Sequence, residues 1–256
     1  MSPAPPDGMA QRGTPQVTLR RLARTRSTQD VVREAARSGA APGFCCIAAE
    51  QTAGRGRQGR SWVAPPGTAL LFSVLLRVGS AATAGVPIAA GLALCDALET
   101  RCGVYARLKW PNDVVAGGGK LAGILAELEP LAPGPENAVV LGAGVNLTVT
   151  AFPDGVRGVS LHRLMAPPAA PPAADVLLGF VLDALWRRLD TLEEAGLVGL
   201  LPDWRSRAIG LGEAVVAVTP RGEIRGIAID VADDGALLLR TAAGVERLVA
   251  GDIHLD

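Results

Sequence analysis

The sequence predicts an α+β protein in two unequal parts, and three observations predict it. Short apolar runs bounded by Pro and Gly, such as Phe44–Glu50 and Ala69–Val78, alternate with helical stretches up to about residue 208. From Leu211 the texture changes to short alternating runs separated by turn signals, the pattern of a small antiparallel barrel of roughly fifty residues. The 256 residues, 49% hydrophobic and 20% charged, suffice for one large core plus a small appendage. The parts are drawn at 1–16, a Pro/Gly-rich tail expected to be disordered, 17–209 and 210–256.

Val17–Thr25 alternates loosely and reads as a strand. Ser27-Thr28-Gln29-Asp30 opens a helix with Val31, Val32, Ala35 and Ala36 on its apolar face, closed by Gly39. Phe44–Glu50 and Ala69–Val78 are buried strands, and Thr83–Cys102 is a long core helix ended by Gly103. Pro111 forces Trp110 out of helical geometry, so residues 106–115 form two extended pieces meeting at a kink. Gly117-Gly118-Gly119 is a hairpin turn into the strand 120–128, with Lys120 at its start, Gly123 inside it, and Glu127 and Glu129 facing solvent. Asn137–Leu147 is a core strand thinned by Gly142 and Gly144. A Pro/Gly-rich loop spans Ala151–Pro172; Ala174–Ala195 and Leu197–Ala208 are helices.

The stretch with the most chemistry is Gln51–Trp62. Between Gly54 and Arg60 it holds three arginines and three glycines in seven residues. Glycine lets backbone N–H groups approach a ligand, and arginine offers a fixed fork of donors for phosphate or carboxylate oxygens. Gly54, Gly56 and Gly59 satisfy the dinucleotide pattern G-x-G-x-x-G, and Gly54–Ser61 nearly satisfies the Walker pattern, with Arg60 at the lysine position. Both patterns need a helix to begin at the glycines, and Ala64-Pro65-Pro66-Gly67 leaves no room for one. The loop is therefore read as a long connection between strands that holds an anion with arginines and loop amides. A second polar point is Lys109-Trp110-Pro111-Asn112-Asp113, where a turn would need neither Lys109 nor Trp110.

Composition excludes several classes. Lys+Arg and Asp+Glu are both 25, and a zero balance argues against bulk binding to nucleic acid or anionic membrane. Cys45, Cys46, Cys95 and Cys102 show no C-x-x-C spacing and only His162 and His254 accompany them, so neither a zinc site nor a disulfide framework is expected. Buried thiols in a reducing, cytoplasmic setting are the expectation. No apolar run is long and clean enough to span a bilayer, since Pro87, Asp96 and Glu99 interrupt the best one.

In order along the chain, Ser27-Thr28-Gln29, Gln51–Arg60, Lys109–Asp113, Lys120-Leu121-Ala122-Gly123-Ile124-Leu125 and Gly142-Ala143-Gly144-Val145-Asn146 resemble the motifs of bacterial biotin protein ligases. The resemblance runs from about Arg20 to the C-terminus. It implies a mixed β-sheet with helices on one side, like class II aminoacyl-tRNA synthetases, plus a C-terminal SH3-like barrel. It implies that biotin and ATP form biotinyl-5′-AMP with release of pyrophosphate, and that biotin then passes to a lysine of a biotin carboxyl carrier protein domain. Mg²⁺ is expected with ATP. The implied biotin contacts are Ser27, Thr28, Gln29, Gln51, Gly54, Arg55, Gly56, Arg57, Lys120 and Gly123. Those to the nucleotide are Arg55, Arg57, Arg60, Trp62, Lys109, Asn112, Asp113 and Asn146. Lys120 and Arg57 are the catalytic candidates, Lys120 to bridge carboxylate and α-phosphate, Arg57 to order the loop over the adenylate.

Gln29 stands where the family has Asn. Fewer than twenty residues precede the first strand, so the winged-helix repressor function of some members is not expected. A monomer or weak homodimer is expected. A lipoate or octanoate transferase of the same fold is the main alternative, and a nucleic-acid-binding module using the arginine loop the second.

Overall fold

The computed structural model describes residues 15–131, 136–219 and 222–255. The expectations for residues 1–14 and for the turn at 220–221 lie outside the described residues.

A seven-stranded mixed sheet carries the molecule. Its strands are β1 (Thr18–Thr25), β2 (Phe44–Gln51), β3 (Ala69–Gly79), β4 (Arg107–Lys109), β5 (Asp113–Ala116), β6 (Gly119–Glu129) and β7 (Glu136–Asn146), in the order β1-β2-β3-β7-β6-β5-β4. Only β1 and β2 run parallel, because the helix α1 (Thr28–Arg37) connects them; the remaining pairs are antiparallel. Such a crossover is what a parallel pair requires.

Helices cover both faces of this sheet, not one. Strand side chains alternate, so neighbouring residues serve different layers. Val32 and Ala36 of α1 pack on Cys46, Leu75, Ala138 and Val140. Their neighbours Cys45, Val74, Leu76, Val139 and Leu141 face the larger core, filled by α2 (Val86–Cys102) and α4 (Ala174–Ala195). α2 is apolar almost all round because it lies between the sheet and α4.

The same alternation corrects the solvent-facing assignment of Glu127 and Glu129. Both point to the α1 side, where Glu129, 4% exposed, takes Arg33 at 2.9 Å and Arg37 at 2.7 Å. Two further segments differ. The 151–172 loop contains a short helix, α3 (Leu161–Leu164), and the helix expected at 197–208 is a 3₁₀ turn (Leu197–Gly199) followed by α5 (Leu201–Arg207), with Pro202 in its first turn.

A second, five-stranded antiparallel sheet follows: β8 (Ala214–Thr219), β9 (Gly222–Val231), β10 (Leu237–Thr241), β11 (Gly244–Leu248) and β12 (Asp252–Leu255), in the order β11-β10-β9-β8-β12. β12 is too short to have stood out in the sequence. The small sheet is welded to the large one: Val215, Ala228, Leu237 and Ile253 belong to the same buried cluster as α2 and α4. Trp110 Nε1 donates to Gly235 O at 3.0 Å, and Ile209 N donates to Leu108 O at 2.8 Å. Among the described residues no helix is long and apolar enough to cross a membrane.

Candidate active site

The site lies on the α1 side of the large sheet, over β6 and β7. The start of α1 forms one wall. Ser27 takes the N-cap position, but its hydroxyl makes no capping bond; it is 1% exposed and without a partner among the described residues. Thr28 donates its backbone N–H to Gln51 Oε1 at 2.7 Å and its hydroxyl to the same oxygen at 3.0 Å. Its Oγ1 also lies 2.8 Å from Ser73 Oγ. With the Thr28 proton given to Gln51, Ser73 is the donor in that pair. Gln29, 4% exposed, donates from Nε2 to Leu125 O at 3.1 Å and to Glu127 Oε2 at 3.4 Å. Its Oε1 is left buried with no partner.

Two glycines of β7 make the floor. A Cβ on Gly142 would meet Gln29 Cδ at 3.1 Å, and one on Gly144 would meet Trp62 Cε2 at 2.4 Å. Gly123, opposite Gly144 on β6, would strike the same indole at 2.9 Å. Gln29 and Trp62 therefore lie side by side on a strip of sheet without side chains, two residues or about 7 Å apart. Trp62 Nε1 is buried and unpartnered. These glycines do the work of close approach rather than of a nucleotide-binding turn.

The glycine/arginine loop closes over this floor as a small hairpin. Gly56 N donates to Arg60 O at 2.7 Å and Trp62 N to Gly54 O at 3.0 Å. A Cβ on Gly54 would lie 2.4 Å from Trp62 O, so only glycine fits there. At the tip Gln58 has φ 54°, a left-handed conformation uncommon outside glycine. Arg55 reaches back to Asp30 at 2.9 Å and Glu127 at 3.4 Å. Arg57 donates to Asn112 Oδ1 at 3.4 Å and to Gly251 O at 3.3 Å. Burial lowers the Arg57 pKa, with Asp252 opposing and Arg60 adding to that shift. Arg60 turns away to Asp252 at 2.8 Å.

Lys120 arrives through a bulge. The β5–β6 register slips at this point: Val115 faces Lys120, yet Val114 faces Ala122, leaving Leu121 as the extra residue. Leu121 and Ala122 both enter the main core. Lys120 is thereby put on the same side as Gly123, whose Cβ would lie 3.2 Å from Lys120 Cε. In a regular strand, residues 120 and 123 would face opposite ways. Lys120 Nζ pairs with Asp113 at 2.6 Å and lies 5.7 Å from the Trp62 ring centroid. The 107–113 segment supports this pair: β4 and β5 meet at the kink, and Asn112 Nδ2 donates to Ile124 O at 2.7 Å.

Most of the sequence-derived candidates thus converge. Ser27, Thr28, Gln29, Gln51, Gly54 and Arg55 form one end, while Arg57, Trp62, Asn112, Asp113, Lys120 and Gly123 form the other. Gly56 shapes the hairpin between them. Three candidates stand apart. Asn146 is buried and spends its amide on Lys120 O and Val159 O, both at 3.2 Å. Arg60 is committed to β12, and Lys109, half-buried, has no ion-pair partner among the described residues. Ser73, Gly251 and Asp252 were not singled out from sequence, and Glu127 was assigned to solvent. Ser73 carried a signal, being the one hydroxyl in an apolar strand; the others did not. Among the described residues no three His, Cys, Asp or Glu side chains gather as a metal site.

The family described as biotin/lipoate A/B protein ligase matches residues 22–146, and the biotin protein ligase C-terminal domain matches residues 210–256. A biotin–[acetyl-CoA-carboxylase] ligase of Paracoccus denitrificans is 38% identical, over 91% of this chain and 98% of its own. The ligase of the same name from Mycobacterium tuberculosis is 37% identical, over 91% of this chain and 88% of its own. The structure of the Aquifex aeolicus biotin protein ligase in complex with biotin and ATP superposes with a TM-score of 0.78 at 27% identity, covering 93% of this chain and 98% of that one. By fold, motif order and this kinship, the chain belongs to the biotin protein ligase family.

Proposed function

We propose that the chain is an ATP-dependent biotin protein ligase, which makes biotinyl-5′-AMP and transfers biotin to a lysine of a biotin carboxyl carrier protein domain. One observation carries the choice of acid: the wall beside Gly142 holds unsatisfied polar atoms, Ser27 Oγ and Gln29 Oε1, both buried. Each such group costs on the order of 1–3 kcal/mol unless a partner arrives. A ureido ring supplies one, its N–H donating to Gln29 Oε1 and its carbonyl accepting from Ser27. The dithiolane of lipoate or the chain of octanoate has no polar atom to offer.

In the first step a carboxylate oxygen of biotin attacks the α-phosphorus of ATP, the bond to the bridging β-phosphate oxygen breaks, and pyrophosphate leaves. Two anions must meet, so the protein's part is fixed positive charge. Lys120 supplies it at the sheet edge, while Arg57 holds the loop over the adenylate; Mg²⁺, which accompanies ATP, would add positive charge on the phosphates. Trp62, Asn112 and Asp113 border the nucleotide in this reading, while Lys109, Arg60 and Asn146 stand outside that cluster and take no step in it. No nucleophilic side chain is needed. In the second step the carrier lysine amine attacks the acyl carbon, loses a proton and expels AMP. The loop excludes water that would otherwise hydrolyse the mixed anhydride.

Residues 17–209 are the catalytic unit and 210–256 the second unit in this reading. A cytoplasmic enzyme, monomeric or weakly dimeric, fits the buried thiols and the carrier's role. The test is pyrophosphate exchange into ATP. Exchange that needs biotin, and that lipoate or octanoate does not support, is the expected result; exchange with lipoate alone would overturn the reading.

A further inference from the structure

We propose that Glu127 is a positioning residue for acid recognition, fixing which end of the Gln29 amide faces the pocket. This rests on the biotin reading of the same site. An amide can present either its oxygen or its NH₂ group to a ligand, and the two ends have nearly the same shape. At Gln29 the choice is made from behind. Leu125 O lies 3.1 Å and Glu127 Oε2 3.4 Å from Nε2. Both are acceptors, so a flipped amide would set its oxygen against two oxygens, one of them a carboxylate. The NH₂ group is used up there, and Oε1 is the end left buried without a partner. The pocket is thereby set to accept an N–H and to refuse an acceptor in that place.

Glu127 is itself held. Arg33 Nη2 donates to its Oε2 at 2.9 Å, and Arg33 Nε donates to Glu129 at 2.9 Å. Glu127 also lies 3.4 Å from Arg55 of the loop. Its role in recognition is exerted through Gln29.

Two substitutions separate this from a merely structural role. Glu127→Met keeps the volume and removes the acceptor; Glu127→Gln keeps an acceptor oxygen. The first readout needs no ligand: hydrogen exchange of the Gln29 side-chain amide by ¹⁵N NMR. Glu127→Met is expected to speed it at least tenfold and Glu127→Gln less than threefold. The second is biotin binding by calorimetry. Glu127→Met is expected to weaken it at least tenfold, with the KM for ATP within twofold of wild type. In a Gln29→Ala background the same change is expected to cost less than threefold. Equal effects of the two substitutions, or an undiminished penalty in the Gln29→Ala background, would overturn the proposal. A wild-type chain that binds no biotin would overturn the ligase reading instead, and the amide exchange would still decide the lock.

Discussion

Lys120 is half-buried, paired with Asp113 and laid beside the Trp62 ring, so its ammonium is held in place before any substrate arrives. Lys120→Ala is expected to lower pyrophosphate exchange by 10²–10³, or about 2.7–4 kcal/mol, the usual loss for one preorganised donor. Its circular dichroism is expected to match wild type. Gly144 is the converse case, where a side chain must be absent. A Cβ there would lie 2.4 Å from the Trp62 ring, so Gly144→Ala overpacks the floor. A loss of about 1–3 kcal/mol in a urea melt is expected, partly reversed by adding Trp62→Leu. The thiols are a third residue-scale matter. Burial raises Cys45 and Cys95 to about 12 and Cys46 to about 11; it raises Cys102 as well, but that thiol is only half-buried and Arg101 opposes the shift. Iodoacetamide at pH 8 is expected to label the native chain at Cys102 alone and all four thiols in urea. The unfolded chain gives up thiol protons near the ordinary value of 9.0 while the folded chain keeps them. Stability is therefore present below that pH and falls as pH rises above it.

At the scale of elements, the loop 54–62 is the part with a separable task. Arg57 holds it to Asn112 on one side and to the carbonyl of Gly251 on the other, and Arg60 holds it to Asp252. Arg57→Gly removes two of these anchors and leaves Lys120 untouched. It is expected to keep most of the adenylation rate but to release biotinyl-5′-AMP into solution, which rapid filtration and chromatography would detect. Retention as tight as wild type would remove Arg57 from the lid role. This loop and the 109–113 kink were legible in the sequence because their chemistry is local: arginine forks, glycines and a proline declare themselves within a few residues. What the sequence hid depends on register between strands distant in the chain. Nothing near Glu129 says that Arg33 and Arg37 will cover it, and nothing near Gly144 says that an indole will lie there. α1 was foreseen as a helix, yet its face of the sheet follows only from the pairing of β2, β3 and β7.

For the whole molecule, the buried cluster that runs from α2 and α4 into β8, β9 and β12 joins the two sheets. Arg205 adds a two-point pair to Asp230, at 2.7 and 3.0 Å, across the same seam. That pair is exposed and contributes little; the shared apolar burial does the joining. Calorimetry is accordingly expected to show one unfolding transition instead of two. Biotin at one hundred times its dissociation constant is expected to add about 2.7 kcal/mol, a rise of roughly 5–10 °C in Tm. The change of texture near Leu211 did announce the second sheet, but the sequence could not say that both sheets would share one interior, because that depends on where the seam closes.

The surplus residue at Leu121 makes the chemistry depend on a count. The same four residues laid out as a regular strand, without the bulge, would send the ammonium through to the other surface of the sheet, among aliphatic groups beneath α2. Such a chain would keep each motif in its proper order and still be inert. An alignment would conceal the difference entirely, because it registers the order of residues and not the surface each side chain faces.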